Sequence, residues 1–349
     1  MQNKNPFTLM YGISSESSIN RDEELNKILK SFIYDNAMYM YLIVGIRGSG
    51  KTVLLRNAYD IISKNDNWVC VDINPQGDII SSLANKLSIT MSTKKLLDGW
   101  SFSINLPYLT ITKEKKETIN DPEIISEKII EKLASESKKI LITIDEVNKT
   151  NHFKKFVNFY QSLIGKGLPV YLLMTGLKEN INIIENDSSM TFLTRAPKIE
   201  LEPLGLPSIA LEYKTIFNIP QNLASEMAKL TNGYAFAYQV LGYLFYEDEK
   251  RKINDIFLQK YDSYLWNNGY NKFWNDLTQN EKNFLIALSL CKDGTKNEIL
   301  EKNIISESNY SQYRKRLIEK GLIVSNKYGS VSFVLPRFDG FISYAKEFN

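Results

Sequence analysis

Residues 45–52 read Gly45-Ile46-Arg47-Gly48-Ser49-Gly50-Lys51-Thr52 and fit G-x-x-x-x-G-K-[ST]. Each residue type at this spacing has a chemical task. Gly45, Gly48 and Gly50, with Arg47 and Ser49 between them, let successive backbone N–H groups turn into one concavity, an anion nest. Lys51 can reach the β- and γ-phosphates of a nucleotide, and the Thr52 hydroxyl can ligate Mg²⁺. Val53 opens a helix whose N-terminal dipole favours the same negative charge. The ligand expected here is ATP or ADP with Mg²⁺. A second group lies at Asp145-Glu146, where the apolar run Ile140-Leu141-Ile142-Thr143-Ile144 stops in two carboxylates. Asp145 would hold the Mg²⁺, and Glu146 would act as general base on the attacking water. Thr175 ends another apolar run. Its hydroxyl would orient that water or touch the γ-phosphate, or else cap the turn that follows.

The surrounding pattern supplies elements to position these groups. Tyr39–Val44 reads as a buried strand leading into the phosphate loop. Trp68–Ile73, 139–144, 169–176 and 198–201 read as further strands, with helices at 79–87, 121–137 and 153–164. Asp121 before Pro122 fits an N-cap with Pro at the first helical position. Strands alternating with helices predict a parallel, helix-covered α/β sheet whose C-terminal edge carries the ligand. Before it, Phe7–Ile13 is apolar, 14–18 is a polar loop, and Asn20 is a candidate N-cap for a helix with a stripe at Leu25, Ile28, Leu29, Phe32 and Ile33. Residues 100–112 alternate apolar and polar and predict an inserted β-hairpin.

Beyond the boundary at Leu204–Pro207, residues 208–265 read as helical, with an almost wholly apolar stretch from Tyr234 to Tyr246. From Leu277 the pattern changes again. Thr278 with Glu281 fits a capping box. That helix starts at 277–281 and has its buried face at 284–290; further helices are expected at 297–302 and 308–320, the last closed by Gly321, with short strands at 322–324 and 331–335. These are the parts of a winged helix. Its third helix would present Tyr310, Gln312, Tyr313, Arg314, Lys315 and Arg316 to phosphates and base edges of DNA. A winged helix can also make protein contacts.

At 349 residues, two or three domains are expected. The net charge of +3 is carried by the segment from Asn271 onward, with 12 Lys and Arg against 9 Asp and Glu. Cys70 and Cys291 lie far apart in apolar stretches, which predicts buried free thiols in a reducing compartment rather than a disulfide framework. The single histidine, His152, has no cluster of metal ligands beside it and reads as a helix-start or surface residue. The opening residues are polar with no signal h-region after them, and no apolar run approaches the ~20 residues of a membrane helix. A cytoplasmic protein without a membrane partner is expected.

The phosphate loop, the Asp145-Glu146 strand end and Thr175 stand in the order of ASCE-division P-loop NTPases. With the helical and winged-helix segments behind them, the chain resembles AAA+ ATPases of the initiator (origin-recognition-like) type and the related STAND and archaeal-type ATPases. That resemblance implies a P-loop AAA+-like α/β core at 1–206 with the hairpin as an insert, a helical lid at 207–270 and a winged-helix domain at 271–349. It implies that Ile19-Asn20-Arg21-Asp22-Glu23 matches a signature near the adenine, with Arg21 in contact and Asn20 where the family has Gly. It implies that Arg195, just before the fifth strand, is an arginine finger donated to a neighbouring subunit's nucleotide. The lid motif falls at Asn232–Phe236, but neither the initiators' arginine nor the STAND proline stands at Ala235 or Phe236.

The expected function is a Mg²⁺-dependent ATPase, forming homo-oligomers and coupling nucleotide state to DNA binding, with switch-like turnover because of the missing lid residue. The alternative is a STAND-type signalling switch whose winged helix contacts protein. A small-molecule kinase is the third possibility, and the C-terminal extension argues against it.

Overall fold

The computed structural model describes residues 4–10, 17, 19, 21–35, 38–93, 100–105, 108–113, 118–119, 121–326 and 329–348. They form two compact units. An α/β unit comprises Arg21–Val44 and Lys51–Glu200. A helical unit comprises the described residues of Met1–Asn20 together with Gly45–Gly50 and Leu201–Asn349.

The α/β unit opens with α1 (Asp22–Leu29), continued by a π-helical turn, then β1 (Met40–Val44), α2 (Lys51–Ser63) and β2 (Trp68–Ile73). Next come α3 (Ile79–Thr93), the strands β3 (Trp100–Asn105), β4 (Tyr108–Lys113) and β5 (Thr118–Ile119), and α4 (Pro122–Ser135). The unit closes with β6 (Lys139–Ile144), α5 (Asn151–Gly165), β7 (Val170–Gly176), α6 (Lys178–Glu185), a 3-10 segment Ser188–Arg195 and β8 (Lys198–Glu200). Five strands make one parallel sheet in the order β2-β6-β7-β1-β8. Every residue of β1 and β7 is buried. Such unbroken apolar runs, rather than alternation, are what a sheet covered on both faces requires. Tyr160 on α5 donates its hydroxyl to the Tyr39 carbonyl at 2.8 Å, tying helix to sheet.

Local sequence accounts for several element ends. The Asp121 carboxylate accepts from the N–H of Glu123 at 2.8 Å, with Pro122 as first helical residue. Thr150 caps α5 through the N–H of Phe153. The expected hairpin is present as the antiparallel pair β3–β4, and β5 adds a third strand. Its turn at 106–107 lies outside the described residues, as do Asn20 and the polar loop at 14–16. α1 starts at Asp22 with Arg21 as its cap residue and no side-chain cap bond. α3 runs six residues past the expected Leu87, to Thr93.

The helical unit contains α7 (Leu206–Phe217), α8 (Gln221–Thr231), α9 (Ala235–Glu247), α10 (Asp255–Leu265), a π-helical turn and α11 (Asn271–Asn275). It continues through α12 (Gln279–Ser289), α13 (Lys296–Glu301), α14 (Glu307–Glu319), the antiparallel strands β9 (Ile323–Ser325) and β10 (Val331–Phe333), and α15 (Phe338–Phe348). Its core is aromatic. Phe7 packs on Tyr213, Phe217 and Tyr238 with ring centroids 5.5–5.9 Å apart. A Cβ at Gly242 would stand 2.3 Å from the Phe7 ring, so only glycine admits this packing. The Thr278–Glu281 capping box forms as expected, and Gly321 closes α14 with φ 70°.

Two expectations are corrected, and one helix is added. Tyr310 does not face outward from α14: it is 4% exposed and packs on Phe284, because its ring completes the apolar contact between α14 and α12. α15 was not expected, although Phe338, Phe341, Ile342 and Ala345 repeat at helical spacing and all are buried. Both cysteines are free but half-buried rather than enclosed. His152 is exposed in the first turn of α5, as expected. Among the described residues, no helix is long and apolar enough to cross a membrane.

Candidate functional site

The acidic end of β6 is a network of side chains within the α/β unit. The Thr52 hydroxyl, in the first turn of α2, donates to Asp145 Oδ2 at 2.8 Å across 93 residues of chain. Thr175, at the end of β7, donates its hydroxyl to Asp145 Oδ1. The same Thr175 oxygen accepts the backbone N–H of Glu146 at 2.9 Å, and the Thr175 carbonyl accepts that of Val147 at 2.8 Å. Parallel pairing of β6 with β7 brings these two strand ends together. Thr175 is fully buried and Thr52 nearly so, while Glu146 is exposed. Glu146 has φ 58°, a left-handed conformation costly for a non-glycine residue and here held by the Thr175 hydroxyl. One strand over, the Thr143 hydroxyl donates to Asp72 Oδ1 at 3.0 Å, a pair that sequence reading did not foresee. Asp145 and Thr52 offer hard oxygen donors on one spot, the donor chemistry that Mg²⁺ prefers.

The loop Gly45–Gly50 belongs to the helical unit. Gly48 and Gly50 adopt φ 72° and 95°, which explains glycine at both positions. Ser49 is buried, and its N–H meets the Ile46 carbonyl across a turn at 3.3 Å. The Tyr234 hydroxyl donates to the Arg47 carbonyl at 2.9 Å, and the Phe236 N–H donates to the Gly48 carbonyl at 3.1 Å. The Arg47 guanidinium lies 3.5 Å from an Asp276 carboxylate oxygen. Lys51 begins α2 and is 5% exposed; Val53 follows Thr52 in its first turn.

The remaining expected residues have the following surroundings. Arg21 pairs with Glu24 at 3.3 Å at the start of α1. Arg195 is exposed at the end of the 3-10 segment before β8. On α14, Gln312, Lys315 and Arg316 are exposed. Tyr313 and Arg314 are half-buried: Tyr313 accepts from Asn280 at 2.7 Å, and Arg314 donates to the Ser325 hydroxyl on β9 at 2.6 Å. Sequence reading missed Tyr234 as a contact of the loop. The signal available was its place in the Asn232–Phe236 motif.

A family model described as an ATPase domain predominantly from Archaea matches residues 19–242. The chain belongs to this family. A model of a domain of unknown function matches residues 267–342. Among solved structures, the ORC2 protein of Aeropyrum pernix in ADPNP–ADP complexes is 12% identical, with a TM-score of 0.59 over 100% of this chain and 98% of that one. The ADP form of the same protein is 12% identical with a TM-score of 0.50 over 95% and 94%. Cdc6p of Pyrobaculum aerophilum is 16% identical with a TM-score of 0.47 over 98% of each chain. A search of curated proteins finds no match. The fold is therefore that of a P-loop AAA+ ATPase, a parallel five-stranded sheet followed by a helical C-terminal part.

Proposed function

We propose that the protein binds ATP with Mg²⁺ at Gly45–Val53, hydrolyses it with switch-like turnover, and couples nucleotide state to DNA binding and homo-oligomer formation. Its parts under this reading are a core at 1–206, a lid at 207–270 and a winged helix at 271–349. One observation carries the reading: the Thr52 hydroxyl and the Asp145 carboxylate, far apart in sequence, meet at 2.8 Å where a P-loop enzyme needs its metal ligands. Mg²⁺ would be held by these two oxygens, and when bound it offsets the charge of the β- and γ-phosphates. Lys51 binds the same phosphates. Glu146 accepts a proton from the attacking water, with its backbone fixed by Thr175. Thr175 is a positioning residue, since its hydroxyl is already committed to Asp145 and Glu146. Arg195, exposed before β8, is the candidate to reach a neighbouring subunit's phosphates, and Arg21 the candidate to lie near the adenine.

Measured nucleotide affinity and phosphate release test this directly. Lys51→Ala should lose ATP binding by two orders of magnitude or more, whereas Glu146→Gln should keep binding and stop hydrolysis. Tight ATP binding by the Lys51 variant would remove the site.

For DNA, the exposed Gln312, Lys315 and Arg316 on α14, beside the β9–β10 ribbon, support phosphate and groove contacts. Arg316→Ala should weaken DNA binding and lower the slope of log affinity against log salt by about one. An unchanged slope, or no DNA binding at low salt, favours the second reading: a STAND-type switch whose winged helix makes protein contacts. One observation supports that alternative. A Cβ at Gly321, beyond α14, would lie 1.9 Å from Ile46 Cγ2, so the C-terminal segment rests directly on the phosphate loop.

A further inference from the structure

The outer side of the phosphate loop is gripped at three points, all within the helical unit. The first is the backbone. The carbonyls of Arg47 and Gly48 accept from the Tyr234 hydroxyl and the Phe236 N–H. In a trans peptide the carbonyl and the following N–H point in opposite directions. Fixing these two carbonyls on Tyr234 and Phe236 therefore aims the N–H groups of Gly48 and Ser49 away from the lid. Those are donors of the anion nest. The Ser49 N–H meets the Ile46 carbonyl at 3.3 Å, a long bond that a phosphate oxygen can take over. The second point is the Arg47–Asp276 ion pair at 3.5 Å. The third is the contact of Ile46 with Gly321.

Two features show that the tyrosine is built into the loop. A Cβ at Gly48 would stand 2.3 Å from the Tyr234 hydroxyl oxygen and 2.9 Å from Cζ, so the loop's glycine is required by the tyrosine as well as by its positive φ. Tyr234 is also 4% exposed; burial raises its pKa far above the ordinary value, with the nearby Arg47 charge opposing, so the hydroxyl stays protonated and can only donate to the Arg47 carbonyl.

We propose that Tyr234 is the positioning residue of the phosphate loop: through the Arg47 and Gly48 carbonyls, seconded by Asp276 and Gly321, the C-terminal half of the chain pre-orients the loop's N–H donors for a nucleotide phosphate. The inference rests on the nucleotide-binding reading above. It supplies a route from nucleotide to C-terminal segment that needs no arginine at Ala235 or Phe236, because the coupling runs through the loop's outward carbonyls. By linkage, whatever binds the C-terminal segment and shifts Asp276 or Gly321 changes nucleotide affinity, and nucleotide changes that binding by the same factor.

The test uses the full chain with ADP·Mg²⁺. Affinity is measured by titration calorimetry, and amide exchange is followed in the peptide spanning residues 45–50. Tyr234→Phe keeps the ring and removes the part-buried hydrogen bond to the Arg47 carbonyl, so ADP should bind about tenfold more weakly. The ADP-induced protection of residues 45–50 should fall with it. Asp276→Asn, at an exposed pair, should weaken ADP about two- to threefold. Lys51→Ala separates the two ideas. If it binds ADP as tightly as the native chain, the nucleotide site is wrong. If it loses ADP while Tyr234→Phe keeps native affinity and native protection, the site stands and the grip is overturned. A fall in melting temperature with unchanged affinity assigns Tyr234 a structural role only and also overturns the proposal. Should Tyr234→Phe fail to fold, native affinity and protection in Asp276→Asn decide against it.

Discussion

The acidic end of β6 and the Gly45–Gly50 loop are held by opposite means. Asp145 and Glu146 are fixed by side-chain hydroxyls, those of Thr52 and Thr175, on the edge of a parallel sheet. The loop is fixed through its backbone carbonyls by Tyr234 and Phe236 of the helical unit. The first network stands or falls on particular polar side chains. The second depends on where an aromatic ring and a backbone N–H are carried by α9 and the turn before it. One set of contacts lies at the ends of sheet strands, and the other at the start of a helix.

The largest effect that would test this contrast is at Thr175. Thr175→Ala removes a donor to Asp145 and the acceptor of the Glu146 N–H in a fully buried setting. It should cost about 1–3 kcal/mol of stability and at least tenfold in hydrolysis, read by thermal unfolding and phosphate release. Thr175→Ser should restore both, since the hydroxyl is what matters. If the serine variant behaves like the alanine, the methyl packing, not the hydrogen bonds, holds this strand end, and the contrast fails.

A smaller effect sharpens the other side. The helical unit's own polar anchors include Glu281, which is 2% exposed in the α12 capping box and accepts from Lys320 at 3.0 Å. Burial raises the Glu281 pKa, but the Thr278 backbone N–H, Lys320 and the Thr278 hydroxyl outweigh it and bring it below the ordinary 4.5. A lowered folded-state pKa contributes stability that is fully present above the unfolded value and lost as pH falls through the folded one. Unfolding followed by denaturant should therefore show stability declining below pH about 4.5, and Glu281→Gln should flatten that decline while lowering stability at neutral pH. An unaltered acid profile in the variant would show that Glu281 does not anchor the unit.

Much of this was legible beforehand. The strands Trp68–Ile73 and 139–144 could be read to the residue, because buried parallel strands are predominantly apolar runs rich in β-branched residues. Asp121, Thr278 and Gly321 marked their helix ends through capping chemistry that is local in sequence. Tyr310 was misassigned and α15 was not foreseen, and for one reason. An aromatic side chain or a short apolar stripe at a chain's end has a partner only when another helix arrives, and neither Phe284 beside Tyr310 nor Trp274 beside Phe341 is close in sequence.

The sequence by itself determined the phosphate-loop motif, the acidic strand end and the succession of the five sheet strands along the chain, since all three follow from residue type and spacing. Tertiary structure alone decided that Thr175 spends its hydroxyl on Asp145 and Glu146, and that Tyr234 turns the loop's carbonyls outward. These are hydrogen bonds between residues 29 to 187 positions apart. Their geometry is set by which strand lies beside β6 and by where α9 begins, and no local pattern encodes either.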